Sequence, residues 1–318
     1  VCTKGNFNSE IGLPLSMFNI RSCHEYGVFE MGINHHGEMD SLVNVLHPQL
    51  GVVTNIGTAH IGIMGSRDNI ASEKGKIFSE NPDLVAGFVN ENDDYADFME
   101  KKCAGKHFKK YGLSMISDFR LKGMGGAEFT LGKTNVKFPL VGKYNLCNAM
   151  AATAVGRYFG ASDDQIKEAL ESAGTMFGRG EYYECEGVEI MCDCYNANLE
   201  SVEAVIDFAS EQTPAENRVV YVLGSLLEQG SESDAIHGRI GKKLSVSRAD
   251  AIFLFGKEME AAYRELLAAG KKTFWTVEYS ELENAVDTAV KPGDFVVVKG
   301  SRGMAMERIV KKLRERGK

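Results

Sequence analysis

The chain has 318 residues, 44% hydrophobic and 25% charged, with a formal net charge of -8. This is the composition of a soluble globular protein with room for two ordinary domains, and its acidic balance excludes a general affinity for nucleic acid or anionic membrane. It has no run of about 18 apolar residues, so no membrane insertion is expected, and the N-terminus, Val1-Cys2-Thr3-Lys4-Gly5-Asn6, has neither an initiator Met nor a signal-peptide core, as a trimmed piece of a longer protein would.

In chain order, Tyr26–Met31, Leu50–Ile56 and Leu84–Asn90 read as buried strands of a parallel sheet. Thr54–Phe78 carries the densest chemistry. A strand runs into a Gly-rich loop with His60, and a helix follows whose apolar positions Ile70, Ile77 and Phe78 share a face with Lys74. A lysine in such a stripe is costly unless a partner takes its charge or a reaction changes it. From Phe108 to Val141 short alternating strands with Gly turns predict a small antiparallel sheet. A helix with Asn145 as N-cap runs to Phe159, and another spans Ser162–Ser172.

After Gly180 the alternation resumes. Strands are predicted at Val188–Asp193, Val219–Gly224, Ala251–Gly256 and Phe295–Gly300, with helices at Ser201–Gln212, Ala235–Val246, Glu258–Ala269 and Met304–Arg316. The fold class is α/β: a parallel-sheet domain with a small antiparallel sheet over residues 1–178, then a Rossmann-like domain over 179–318, with the boundary near Met176–Arg179. The seven cysteines are scattered without a CxxC pair, which suits a reducing cytosol. Cys192 and Cys194, with Cys185 nearby, match no common zinc spacing and read as buried thiols.

Ligands of open parallel sheets bind outside the carboxyl ends of the strands, and the polar residues there are the site candidates. Glu30 is a Mg²⁺ ligand or a turn cap. His60 is a second ligand, a general base or a plain loop residue, with His35 and His36 as competitors. Lys74 forms a metal-binding carbamate, contacts a phosphate or snorkels to solvent. Tyr144 and Asn145 offer a face and an amide to an adenine ring. Asp193, before Asn196 and Asn198, accepts from a ribose or makes an Asx-turn. Lys299-Gly300-Ser301-Arg302 is an anion site or a basic surface turn.

Together these segments resemble the Mur ligases, the ATP-dependent amino-acid ligases of peptidoglycan synthesis. Thr3–Pro14 is similar to the family's TxGNxNNxIGxP segment, Glu30–His35 to ELGANH, Tyr195–Asn198 to YNAN and Lys299–Arg302 to KGSR. The nearest branch adds D-Ala-D-Ala to UDP-MurNAc-tripeptide through an acyl phosphate. The resemblance implies ATP and Mg²⁺ as cofactors, a cytoplasmic monomer and a set of roles. Glu30, His60 and a carbamylated Lys74 would hold Mg²⁺. Asn145 and Asn148 would contact adenine, Asp193 the ribose, and Arg179 and Asn196 the phosphates. Asn6 and Asn8 would bind the muramoyl peptide, and Lys299, Ser301 and Arg302 would border the dipeptide. The family's GxxGKT loop and nucleotide-sugar domain would precede Thr3, and without that loop the chain is not expected to turn over ATP at a normal rate. Cys192, Cys194 and Leu199 depart from the YNAN region of the family, and Ser225 and Gln229 from its GDMxELG. The competing readings are a folylpolyglutamate- or cyanophycin-type ligase and a binding module without catalysis.

Overall fold

The computed structural model describes Val1–Arg316. It separates into two compact units, Val1–Ser114 with Met150–Phe159, and Met115–Ala149 with Gly160 onward.

The first unit comprises α1 (Gly12–Met17), α2 (Glu38–Leu46), β1 (Leu50–Val53), α3 (Ile61–Met64), α4 (Arg67–Ser79), β2 (Ala86–Asn90), α5 (Ala96–Lys102) and β3 (His107–Tyr111). The strands form a parallel sheet in the order β1-β2-β3. Gly51 and Gly87 interrupt otherwise apolar strands because Phe78 of α4 lies against them. A Cβ at Gly51 would fall 2.8 Å from the Phe78 ring, and one at Gly87 2.7 Å from Cys103 Sγ. Two expectations are corrected here. Tyr26–Met31 is not a buried strand: its ladder pairing is a single bridge from Val28 to Cys2, and Tyr26 and Val28 are exposed. His107–Tyr111 belongs to the parallel sheet rather than the antiparallel one; as an edge strand it carries Lys109 and Lys110 where a central strand would be apolar.

In the second unit β4 (Ser117–Leu121), β5 (Ala127–Leu131) and β6 (Thr134–Phe138) form the expected antiparallel sheet. The chain's Gly-Lys-Thr triplet, Gly132-Lys133-Thr134, is the hairpin turn between β5 and β6, with Gly132 at φ +61°. Having no helix after it, it is not a phosphate-binding loop. Next come α6 (Lys143–Tyr158), whose C-terminal half packs in the first unit, and α7 (Asp163–Glu171), opened by a Ser162/Gln165 capping box.

The large sheet uses β7 (Glu181–Cys185), β8 (Val188–Asp193), β9 (Arg218–Gly224), β10 (Ala251–Phe255), β11 (Thr273–Thr276) and β12 (Asp294–Lys299). The helices between them are α8 (Leu199–Gln212), α9 (Ser233–Val246), α10 (Glu260–Ala268) and α11 (Tyr279–Ala289), and α12 (Glu307–Arg314) closes the unit. The strand order is β11-β10-β9-β12-β8-β7, parallel except for β7. β12 returns into the slot between β9 and β8, is buried along its whole length, and places Lys299 beside Asp193. The sequence missed β7, β11 and α11. Both strands are half-exposed sheet edges, so neither makes a continuous apolar run.

Candidate functional site

In the first unit the N-terminal segment is built around Glu30. The Glu30 backbone N–H donates to Thr3 Oγ1 at 2.9 Å, and Asn8 Nδ2 donates to Glu30 Oε1 at 2.7 Å. Gly32 N–H donates to the Asn8 carbonyl, and a Cβ at Gly32 would sit 2.8 Å from Asn8 Nδ2, so only glycine admits Asn8 this closely. The Glu30 carboxylate is exposed, no donor among the described residues reaches its Oε2, and Asn6, two residues before Asn8, is exposed as well.

The loop after β1 is fixed by side chains from several directions. Asp93 Oδ2 accepts from Ile56 N–H at 2.7 Å, Arg67 Nη2 donates to the Ile56 carbonyl at 2.9 Å, and Lys74 Nζ donates to the Asn55 carbonyl at 3.0 Å. His60 ends that loop in the left-handed conformation, φ +61°, and its carbonyl accepts the N–H groups of Ile63 and Met64 in α3. The expected Gly-rich loop is therefore partly this short helix.

Lys74 is half-buried on α4, beside the buried Ile70, Ile77 and Phe78. The fully buried charge on this helix is its neighbour Glu73, which sequence reasoning missed. Glu73 Oε1 accepts from the N–H groups of Gly37 and Met39 at the start of α2, and Oε2 pairs with Lys76 at 2.8 Å. A hydrogen bond to Asp40, then one to Glu73, holds the Lys76 ammonium above its usual pKa.

In the second unit Asp193 and Lys299 meet at the carboxyl ends of β8 and β12. Lys299 Nζ donates to Asp193 Oδ2 at 2.6 Å and to the Asn196 carbonyl at 2.9 Å. Lys299 is buried, so it is not the open anion-binding cation expected from its motif; its charge is spent inside the sheet edge. Ser301 is also buried, and its Oγ accepts from Leu227 N–H at 2.9 Å. Arg302 is the exposed member, paired with Glu307 at 2.9 Å and lying over the Phe177 ring. Asp193 retains Oδ1 for another donor.

Asn196 is exposed and its Oδ1 accepts from the Ala197 N–H, while Asn198 caps α8 through a box with Ser201. Cys192 and Cys194 are buried thiols, as expected, with Cys194 Sγ donating to the Val298 carbonyl. Arg179 lies 4.2 Å over the Tyr195 ring, held there because Tyr195 N–H donates to the Gly178 carbonyl.

Asn145 is not the N-cap of α6. It stands in the first turn, its Nδ2 donating to the Val141 carbonyl at 2.9 Å, and Asn148 is exposed one turn on. Tyr144 does not present an open face, because its ring packs over Gly142 and its hydroxyl is buried near Gly180 without a partner. Burial, then the charge of Asp193, pushes its phenol far above the usual range.

His237 is the second residue that sequence reasoning missed. Its Nε2 accepts from Leu226 N–H at 3.0 Å and its Nδ1–H donates to the Ser233 carbonyl at 2.7 Å. The signal was there: His237, Ile240 and Leu244 form one helical stripe, in which a polar residue calls for an internal partner.

The family description "Mur ligase middle domain" matches residues 1–156, and "Mur ligase, glutamate ligase domain" matches 178–302. The UDP-N-acetylmuramoyl-tripeptide–D-alanyl-D-alanine ligase of Treponema pallidum is 35% identical over 319 residues, covering 99% of this chain and 69% of the relative. Among solved structures, MurF from Acinetobacter baumannii superposes with a TM-score of 0.89 at 29% identity, over 99% of this chain and 70% of that one. MurF from Thermotoga maritima in complex with ADP gives 0.85 at 26% identity, over 99% and 73%.

Proposed function

The chain belongs to the Mur ligase family, and from that premise we propose that it serves in ATP-dependent ligation of D-Ala-D-Ala to UDP-MurNAc-tripeptide during peptidoglycan precursor synthesis. The observation that carries this reading is 35% identity, along essentially the whole chain, to a ligase of that name. The division into a central domain, 1–178, and a C-terminal domain, 179–318, is supported by the family matches ending at 156 and starting at 178. Seven free thiols fit work in the cytoplasm, where we place the protein as a monomer.

In the proposed reaction the tripeptide carboxylate attacks the γ-phosphorus of ATP, giving an acyl phosphate and ADP. The dipeptide amine then adds to the acyl carbon, and the tetrahedral adduct expels phosphate and loses a proton to leave the amide. The protein's part is positioning and electrostatics. Asn6 and Asn8 would address the muramoyl peptide, Asn8 while also orienting Glu30. Asn145 and Asn148, three residues apart on one helix face, would meet the adenine. Asp193 would offer Oδ1 to the ribose, its orientation fixed by Lys299. Arg179 and Asn196 are exposed and would reach the phosphates.

The chemistry of Glu30 supports Mg²⁺ as the metal. Glu30 presents one uncommitted carboxylate oxygen, the kind of ligand this ion takes while phosphates and water complete its shell. His60 and a carbamylated Lys74 would complete the protein's share, and the bound ion would neutralise charge on the transferring phosphoryl group. The test supplies the gene product with ATP, Mg²⁺, UDP-MurNAc-tripeptide and D-Ala-D-Ala and follows phosphate and the pentapeptide mass. Equal amounts of ADP, phosphate and pentapeptide are expected; phosphate release that ignores the dipeptide refutes the proposal.

A further inference from the structure

The proposed reaction leaves two adjoining thiols at the end of β8 unused. Val188, Ile190, Cys192 and Cys194 alternate along the chain and enter one hydrophobic core, so both sulfurs lie on the same face of the sheet. Cys192 is 2% exposed and Cys194 fully buried. The two thiols are in hydrogen-bond contact with each other, and Cys194 Sγ also donates to the Val298 carbonyl of β12 at 3.2 Å. The hydrogen bond from Cys194 favours the Cys192 thiolate and holds its pKa below the usual value, against the burial that would raise it. Cys185 is no rival partner. It pairs with Val188 across the ladder, and Val188 is four residues, or about 13 Å, along β8 from Cys192. Between the thiols stands Asp193, on the opposite face, with Lys299 Nζ at 2.6 Å.

We propose that Cys192 and Cys194 are a redox-sensitive pair that hydrogen peroxide closes to a disulfide. The Cys192 sulfur attacks one peroxide oxygen; the O–O bond breaks, water leaves and a sulfenic acid remains. The Cys194 sulfur then attacks the Cys192 sulfur, so that the S–S bond forms, the S–O bond breaks and a second water leaves. Two thiols and one peroxide give one disulfide and two waters, with two electrons passing from sulfur to oxygen. The product is neutral, which suits an apolar site. Cys194 stands one residue beyond the ladder and leads into a loop in which Asn196 is exposed, so a local opening of the strand end admits a small oxidant while the sheet stays folded. Closure also moves the strand end. Cα atoms two residues apart in a strand are separated by roughly 6.5 Å, near the upper limit of about 6.8 Å for a disulfide, and the sulfurs must approach to about 2.05 Å. The new bond removes the proton that Cys194 gives to Val298, a tie between the strand end and β12. Both changes pull on Asp193. In the ligase reading, on which this consequence rests, Asp193 meets the ribose, so oxidation lowers nucleotide affinity.

The test exposes the gene product and its Cys185→Ser and Cys194→Ser variants to hydrogen peroxide, blocks the remaining thiols with iodoacetamide and weighs the tryptic peptide Gly180–Arg218, which holds all three cysteines. Serine at 194 can keep the hydrogen bond to Val298, and Cys185 is only half-buried, so both variants are expected to fold. In wild type and Cys185→Ser the peptide should lose two hydrogens and regain them with dithiothreitol; in Cys194→Ser it should not. Sulfinic or sulfonic acid at Cys192, or thiols that all remain open to iodoacetamide after peroxide, overturns the proposal. Calorimetry with ADP reads the consequence. Affinity should fall about tenfold on oxidation, the loss of a hydrogen bond to a charged group, recover with dithiothreitol and ignore peroxide in Cys194→Ser. A disulfide that leaves ADP affinity unchanged overturns the link to Asp193. ADP binding in neither redox state removes the ligase reading, while the loss of two hydrogens still upholds the thiol pair.

Discussion

Asp193→Ala strands a buried ammonium. The Lys299 side chain is 2% exposed and that of Asp193 14%, so the carboxylate can recover water when its partner is lost, whereas the lysine cannot. Removing one partner of a buried pair costs about 3–5 kcal/mol, because the surviving charge stays uncompensated. Against a domain stability of about 5–15 kcal/mol, that is a large share. Lys299→Met removes the more deeply buried charge and should cost less. Combined with Asp193→Ala it should recover about 2 kcal/mol of the loss, since no stranded charge then remains. The assay is urea unfolding followed by fluorescence of Trp275, the chain's single tryptophan, which sits in β11 of the same sheet. A loss under about 1 kcal/mol in Asp193→Ala, or no recovery in the double variant, would refute the claim that this pair is electrostatically buried.

Lys74→Ala should abolish turnover in the gene product, and short carboxylic acids added in its place should restore part of it; full activity in the variant rules out a carbamate role. Asn145→Ala should lower ADP affinity by about tenfold, the loss of a hydrogen bond or two to the base, and unchanged calorimetric binding would remove Asn145 from the nucleotide site. His237 is the only histidine of the second unit, and burial lowers its pKa below the ordinary value. The unfolded chain therefore binds the proton first, so stability seen by Trp275 is full above about pH 6.5. It falls as the pH drops below that value until the folded-state pKa is reached, and a flat profile from pH 7 to 5 would show that His237 is not held neutral.

The alternation of apolar strand and amphipathic helix made the centres of the two parallel-stranded sheets legible, because central strands such as β9 and β12 write their burial on both faces as continuous apolar runs. Edge strands do not. Glu184 and Lys109 face solvent, so β7 and β3 look like loops or hairpins. At the sites, residue type marked position better than role. Asp193, Lys299 and Ser301 do stand at strand ends, but nothing in KGSR says that the lysine turns inward to neutralise Asp193. Lys74 drew attention as a charge in an apolar stripe, yet Glu73, one residue earlier, is the one that is buried. Besides Lys76, its partners are backbone N–H groups 36 and 34 residues away, which no local pattern encodes.

Glu73 and Lys74 give α4 a mechanical meaning. Through consecutive side chains one rod grips two turns far apart in sequence, the one leading into α2 and the one leaving β1. A substitution that shifts α4 would therefore loosen both turns at once.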